Sequence, residues 1–211
     1  MYNPPAFRED RPDVLGEIIR AARLALLVSA AADGGVPDAT HLPMTLVPEE
    51  GPQGTLYGHV ARANPQWRAL AAAGAARAIF TGPEAYVSPS LYPSKAEHGR
   101  VVPTWNYVAV HAIGPVEIVE DAGRLHDIVT RLTQHHEAPR AAPWAVTDAP
   151  DDFVAAQLKG IVGVVLRIET LIGKRKLSQN RAQPDRDGVH AGLSASDDAA
   201  DRAVADAMRA G

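Results

Sequence analysis

The chain has 211 residues, of which 46% are hydrophobic and 22% charged, the size of one domain with at most an appendage and a composition that excludes a wholly disordered polypeptide. Its 21 Lys and Arg against 25 Asp and Glu leave a formal charge of −4, so bulk attraction to polyanions is excluded and a nucleic-acid role needs a local basic patch. The absence of cysteine excludes disulfides, thiolate nucleophiles and cysteine-ligated metals.

Asp10 and Pro12 open a segment in which Val14, Leu15, Ile18, Ile19 and Ala22 recur at helical spacing. Residues 24–31 form a dense apolar run and predict a buried strand, Asp33-Gly34-Gly35 a hairpin turn, and residues 36–47 the returning strand, with Pro37 and Pro43 limiting its pairing. Residues 54–60 predict a third strand. Asn64-Pro65-Gln66-Trp67 is a helix start, with Asn64 as cap, Pro65 in the first turn and Gly74 as the stop. Residues 77–81 and 85–88 read as strands, and 89–99 as a polar loop. A long strand is expected over 101–112, kinked by Gly114-Pro115 and continued over 116–119. Asp121 caps a helix with Leu125, Ile128, Val129 and Leu132 on its apolar face. A short helix over 151–159 and a strand over 161–170 follow, then basic residues and an Asp/Pro/Gly turn region. Residues 196–209 form an alanine-rich helix with Val204 and Met208 as its larger apolar contacts, mobile or packed on a second subunit. The strands follow one another without alternating helices, so the sheet is expected to be mostly antiparallel, in a closed or partly closed barrel.

No stretch reaches the roughly 18 apolar residues of a membrane span. Met1 to Arg11, with Pro4, Pro5, Glu9 and Asp10, lacks the basic and apolar regions of a secretory signal. The expectation is a cytoplasmic protein away from membranes. Dinucleotide, phosphate-loop, zinc-protease and nucleophile-elbow motifs are missing from the sequence. His135, His136 and Glu137 are adjacent, but neighbouring helical side chains point about 100° apart and share one ion poorly; no metal site is expected. No catalytic acid or base is named, although His59 and His111 can titrate near neutrality.

Three stretches carry binding chemistry. In residues 58–65 a strand meets a capped helix, whose free N–H groups suit an anion; Arg62 adds a forked cation and His59 another donor. The bland alternative is plain capping by Asn64 with Arg62 on the surface. In residues 102–107, Asn106 stands between Trp105 and Tyr107 in mid-strand; its amide suits a heterocycle's edge and the rings a stacking surface, unless both rings are core. Residues 167–186 hold six basic and two acidic side chains, a balance of 6 − 2 = +4, suited to phosphate, a flavin's polar edge or nucleic acid, or else a solvated loop.

Taken together these stretches resemble the PaiB-type FMN-binding family, often described as negative transcriptional regulators. The resemblance begins at Met1-Tyr2-Asn3-Pro4-Pro5-Ala6-Phe7 and includes Thr40-His41-Leu42-Pro43, residues 58–65, Phe80-Thr81-Gly82-Pro83, Tyr86-Val87-Ser88-Pro89-Ser90, residues 102–107, Ile161-Val162-Gly163 and Lys176-Leu177-Ser178-Gln179-Asn180-Arg181. Leu91 departs from it, standing where the family pattern leads one to expect Trp; the last fifteen or so residues are not covered. The resemblance implies a mainly β fold with flanking helices, an antiparallel split β-barrel of FMN-binding type over 1–193 with a helical extension over 194–211. It also implies a homodimer with FMN at the subunit interface. Carried over by position, His59, Arg62 and Asn64 become phosphate-side residues. Trp105 and Asn106 become ring-edge residues, and Lys176, Ser178, Gln179 and Asn180 cofactor contacts from the carboxyl-terminal segment. Three roles stay open: a transcriptional regulator with a DNA operator or protein partner, an FMN-dependent oxidoreductase of undefined substrate, and a haem-binding protein on the same barrel.

Overall fold

The computed structural model describes residues 1–31 and 34–209; Asp33 of the expected hairpin turn and the last two positions of the expected extension lie outside them. In chain order the elements are β1 (Arg8–Glu9), α1 (Pro12–Ala21), β2 (Ala25–Ser29), β3 (Asp38–Leu42), β4 (Met44–Val47), β5 (Thr55–Ala61), α2 (Gln66–Ala73) and β6 (Ala75–Val87). There follow α3 (Ser94–His98), β7 (Thr104–Val119), α4 (Ala122–Glu137), α5 (Asp151–Leu158), β8 (Ile161–Arg167), β9 (Thr170–Lys176), α6 (Gln183–Ser194) and α7 (Ala199–Arg209). The fold is mainly antiparallel sheet with flanking helices, as expected. The chain divides into two compact units, one of residues 1–18, 81–110 and 172–211, the other of 19–80 and 111–171.

In the second unit the strand order is β3-β2-β6-β7-β8-β5-β4, and the sheet stays open, with β3 and β4 as its edges. The expected strand over 36–47 is therefore two strands, broken at Pro43, which supplies no ladder N–H. The β5–β8 ladder runs from Thr55 opposite Arg167 to Ala61 opposite Ile161. On the helical side, Leu125, Ile128 and Leu132 of α4 and Leu158 of α5 pack against Val119 and Val165. Asp121 caps α4 by accepting from the Arg124 N–H at 2.9 Å, as its residue type predicts. The expected kink at Gly114 does not end β7. A Cβ there would lie 1.8 Å from the Arg167 carbonyl oxygen, so the glycine lets backbone approach backbone.

In the first unit β9 pairs with β7 and with β1. Its core joins Val87, Tyr92, Val108, Leu177, Val189 and Val204. Four sequence expectations are corrected in these segments. The two short strands around Gly82-Pro83 are one 13-residue strand, β6; the bare Gly82 accommodates Val108 of β7, whose Cβ would sit 2.9 Å from an added methyl. The polar loop 89–99 holds a 3₁₀ turn over Pro89–Leu91 and the helix α3. Residues 170–176 are the separate strand β9, and the turn region after them holds α6. Helix α7 buries Val204 and Ala205 in this core, which accounts for its apolar contacts.

Candidate functional site

In the first unit, β9 presents its side chains to opposite sides in turn. Lys174 and Lys176 face one way. The Lys174 ammonium donates to the Tyr2 carbonyl at 3.0 Å and lies 5.1 Å from the Tyr107 ring centre. Lys176 donates to Thr104 Oγ1 at 2.6 Å and to the Trp105 carbonyl. Burial pushes the Lys176 ammonium below its usual range, and repulsion from Lys174 and Arg181 adds to the shift. Beside these cations Trp105 is 54% exposed and meets the Tyr86 ring edge-on, with centres 5.9 Å apart. The face thus sets the half-buried Lys176 ammonium beside open aromatic surface, with the Lys174 ammonium buried nearby.

Arg175 points the other way, toward the Glu9 carboxylate and the Ala207 carbonyl. Asn106 lies within this unit's interior, wholly buried. Its amide and the Ser178 hydroxyl exchange hydrogen bonds at 3.0 and 3.2 Å, tying β7 to the turn after β9. Ser178 has φ 66, a conformation that non-glycine residues seldom adopt. Gln179 accepts from the Leu177 N–H at 2.7 Å and donates to the Arg175 carbonyl at 2.6 Å. Asn180 is exposed. The structure therefore brings Trp105, Asn106, Lys176, Ser178 and Gln179 into one neighbourhood, with Trp105 and Lys176 on the open side and the Asn106 and Ser178 side chains bonded to each other. Sequence reasoning offered the Tyr107 ring as a stacking surface but did not single out Tyr2, Tyr86 or Lys174. The signal was the alternation in Gly173-Lys174-Arg175-Lys176, legible once those residues are a strand.

His59, Arg62 and Asn64 belong to the second unit. The Arg62 guanidinium donates to the carbonyls of Lys159 at 3.0 Å and Ile161 at 3.2 Å and pairs with Glu120 at 2.6 Å, so it fastens the end of β5 to β8. Asn64 accepts from the Gln66 N–H and donates to Thr40 Oγ1, both at 3.0 Å. Trp67 Nε1 donates to the Arg62 carbonyl at 3.0 Å. The first turn of α2 begins with its cap in place, and Gly74 ends it in the left-handed region. His59 stands on β5 in the wall of a mostly apolar cavity of about 270 Å³ with Trp144, Phe153 and Leu158. Burial lowers its pKa, and its buried Nδ1 has no hydrogen-bond partner among the described residues. A larger cavity of about 790 Å³ also lies in this unit. Of its wall charges, Glu117 pairs with Arg124 at 2.5 Å and Glu50 with Arg131 at 3.0 Å. The His135 and His136 rings meet edge-on, 5.0 Å between centres. Among the described residues no three His, Asp or Glu side chains gather as metal ligands, and no helix is long and apolar enough to cross a membrane.

A phosphorylated flat ring fits the Lys174–Lys176 face. A dianion offsets the mutual repulsion of the cations, and open rings beside it suit a planar partner. The chain is 32% identical to the protease synthase and sporulation protein PAI 2 of Bacillus subtilis over 88% of its own length and 85% of that protein's. Its fold is similar to a protein of Mycobacterium smegmatis described as binding FAD and haem, with a TM-score of 0.60, 18% identity and coverage of 88% and 80% of the two chains. It is also similar to the flavocytochrome Anf3 of Azotobacter vinelandii, with a TM-score of 0.55, 17% identity and coverage of 93% and 75%. Residues 1–170 match the family described as "Putative FMN-binding domain". On that match and the relation to PAI 2, the chain belongs to the PaiB-type family of FMN-binding domains, whose cofactor is FMN.

Proposed function

We propose that this chain acts in the cytoplasm as an FMN-binding homodimer and a transcriptional regulator of the PaiB type. One observation carries the flavin half: the half-buried Lys176 ammonium, with Lys174 and Arg181 acting on it, lies beside the exposed Trp105 and Tyr86 rings. In this reading Lys176 holds the phosphate, the buried Lys174 adds its charge nearby, and Trp105 and Tyr86 flank the ring. Bound FMN supplies hydride and one-electron chemistry. The chain's own residues bind it, orient it and keep water from one side. The buried Asn106–Ser178 pair fixes the turn that carries Asn180, which stays open to a ligand. The competing phosphate side is His59, Arg62 and Asn64 of the second unit, His59 through an Nδ1 with no partner among the described residues.

The homodimer is supported by exposed apolar side chains in the first unit: Val102 at 64%, Trp105 at 54% and Tyr86 at 49%. Apolar exposure of this kind marks interaction surfaces when it is contiguous. The regulatory half rests on the Bacillus relative, whose name ties it to protease synthesis and sporulation. Its partner is then an operator DNA or another protein. A second reading, haem on the same fold, is favoured by His59, whose burial keeps its imidazole neutral and ligand-competent, and by the Mycobacterium neighbour named for FAD and haem.

The test is an absorbance spectrum of the purified protein, an FMN titration by calorimetry and a mass by light scattering. Expected are the flavin band, saturable uptake of one FMN per protomer and a dimer mass. No FMN uptake at saturating ligand sinks the flavin half, and a Soret band in its place selects haem. Retention of a defined operator that falls steeply with salt supports regulation. Sequence-indifferent retention removes the regulatory half and leaves the flavin half, and reductant turnover then points to an FMN-dependent oxidoreductase.

A further inference from the structure

We propose that the arginine-lined pocket of the first unit binds a compact oxyanion, inorganic phosphate or a small phosphate monoester, at a site separate from the flavin face. The pocket has a volume of about 220 Å³, and its walls include Arg8, Glu9, Arg11, Arg175, Arg186 and Met208. Arg175 of β9 is in its walls, whereas Lys174 and Lys176 lead to the tyrosines and Thr104.

Charge is the first argument. Four arginines and one glutamate line these walls, 4 − 1 = +3, and Asp13 outside them acts on Arg11. Glu9 is already shared. It accepts from Arg11 Nε at 2.9 Å and Nη2 at 2.7 Å, and from Arg175 Nη1 at 3.4 Å. Those contacts, Arg11's first, hold its carboxyl down to about 2, so it stays ionised and occupied at neutral pH. Among the described residues Arg8 has no carboxylate within ion-pair distance, and Arg186 donates only to the Gln183 amide oxygen, at 3.5 Å. Arg8 and Arg186 are thus the wall arginines without an ion pair among the described residues.

Construction and size are the others. Arg175 is 7% exposed, fixed by Glu9 and by the Ala207 carbonyl at 2.7 Å, so one wall is set before any ligand arrives. Guanidinium forks match tetrahedral oxyanions in pairs, which ammonium groups do not. At about 30 Å³ per water the cavity equals about seven waters. That holds a phosphate with a short ester, and it falls below the roughly 300–1,000 Å³ of drug-sized ligand sites, too small for a flavin.

The experiment uses the full chain and calorimetric titration with inorganic phosphate and, separately, with glycerol phosphate, against sodium chloride at matched ionic strength. We expect saturable binding of at least one of the two phosphates. The double variant R8Q/R186Q is expected to weaken it about tenfold or more, the scale of charged hydrogen bonds. K176Q is expected to leave it within about twofold, and R8Q/R186Q to keep its FMN affinity. Tighter binding of the ester identifies a phosphate monoester as the ligand, and tighter binding of the free ion identifies phosphate itself. No saturable heat beyond chloride, full binding by R8Q/R186Q, or loss of phosphate binding in K176Q overturns the proposal. Should the double variant fail to fold, the exposed R8Q alone serves, with about a threefold loss expected and an unchanged affinity overturning it.

Discussion

Lys176 carries an ammonium into a half-buried place where Lys174 and Arg181 already raise the potential, and a phosphate at that face removes the repulsion. Lys176→Gln is therefore expected to weaken FMN by about 1.5–3 kcal/mol, the range for a hydrogen bond to a charged group, as measured by calorimetry. Arg62 presents the opposite case. Two of its donors go to the Lys159 and Ile161 carbonyls, and its ion pair with Glu120 is partly exposed, at 38% and 54% of the two side chains. An exposed pair contributes little, but the carbonyl bonds hold β5 to β8. Arg62→Ala should cost about 1–2 kcal/mol in urea unfolding. If the lysine face holds the phosphate, it should leave FMN affinity within about twofold. A loss of FMN affinity as large as that of Lys176→Gln would return the phosphate to the second unit, where the strand-to-helix motif first suggested it.

The helix α6 shows why some elements escape a reading of the chain. Gln183–Ser194 contains Pro184, Gly188 and Gly192, three residues that lower helix propensity or mark turns. Packing overrides propensity here. The two glycines are four apart, on one face, and Leu91 presses into them. A Cβ at Gly188 would lie 2.2 Å from the Leu91 carbonyl oxygen, and one at Gly192 2.3 Å from Leu91 Cδ2. Leu91, where the resemblance leads one to expect Trp, is thus seated against α6. Gly188→Ala should lower stability by about 1–3 kcal/mol in chemical denaturation despite alanine's helix propensity, because the obstacle is backbone; a stabilised variant would refute the packing argument. The Asp121-capped helix, by contrast, was legible, because cap and apolar face both lie within one local segment. So was the β-rich, antiparallel character of the fold, from short β-branched runs without intervening helices. Of the open face, Trp105 and Lys176 were legible through the family resemblance. The Tyr107 ring was legible as a stacking surface, but its meeting with Lys174 was not, because the two become neighbours only when β9 lies beside β7.

Acid should unfold the whole molecule in two stages, set by two half-hidden groups. Burial first, and then Arg77, hold the His111 imidazole down to about 4, against about 6.5 in an unfolded chain. Between those values the unfolded state binds the extra proton, so stability rises with pH there. The contribution is fully present above about 6.5 and is lost as pH falls through 4. Glu9 is held down to about 2 by Arg11, with Arg175 adding to it. Its contribution is present above the ordinary carboxyl range and is lost between about 4.5 and 2. Each amounts to about 2 kcal/mol after allowing for partial solvation. Chemical denaturation of the wild type should therefore show stability falling already between pH 6.5 and 4, where ordinary carboxylates contribute little until the lower end. His111→Gln should flatten that upper stage and leave the lower one in place. Glu9→Gln should remove part of the lower stage at a cost in stability at neutral pH, since Arg11 and Arg175 then lose their shared carboxylate. A wild-type curve that stays level down to pH 4.5 would mean that His111 takes up its proton in the folded state as readily as in the unfolded chain.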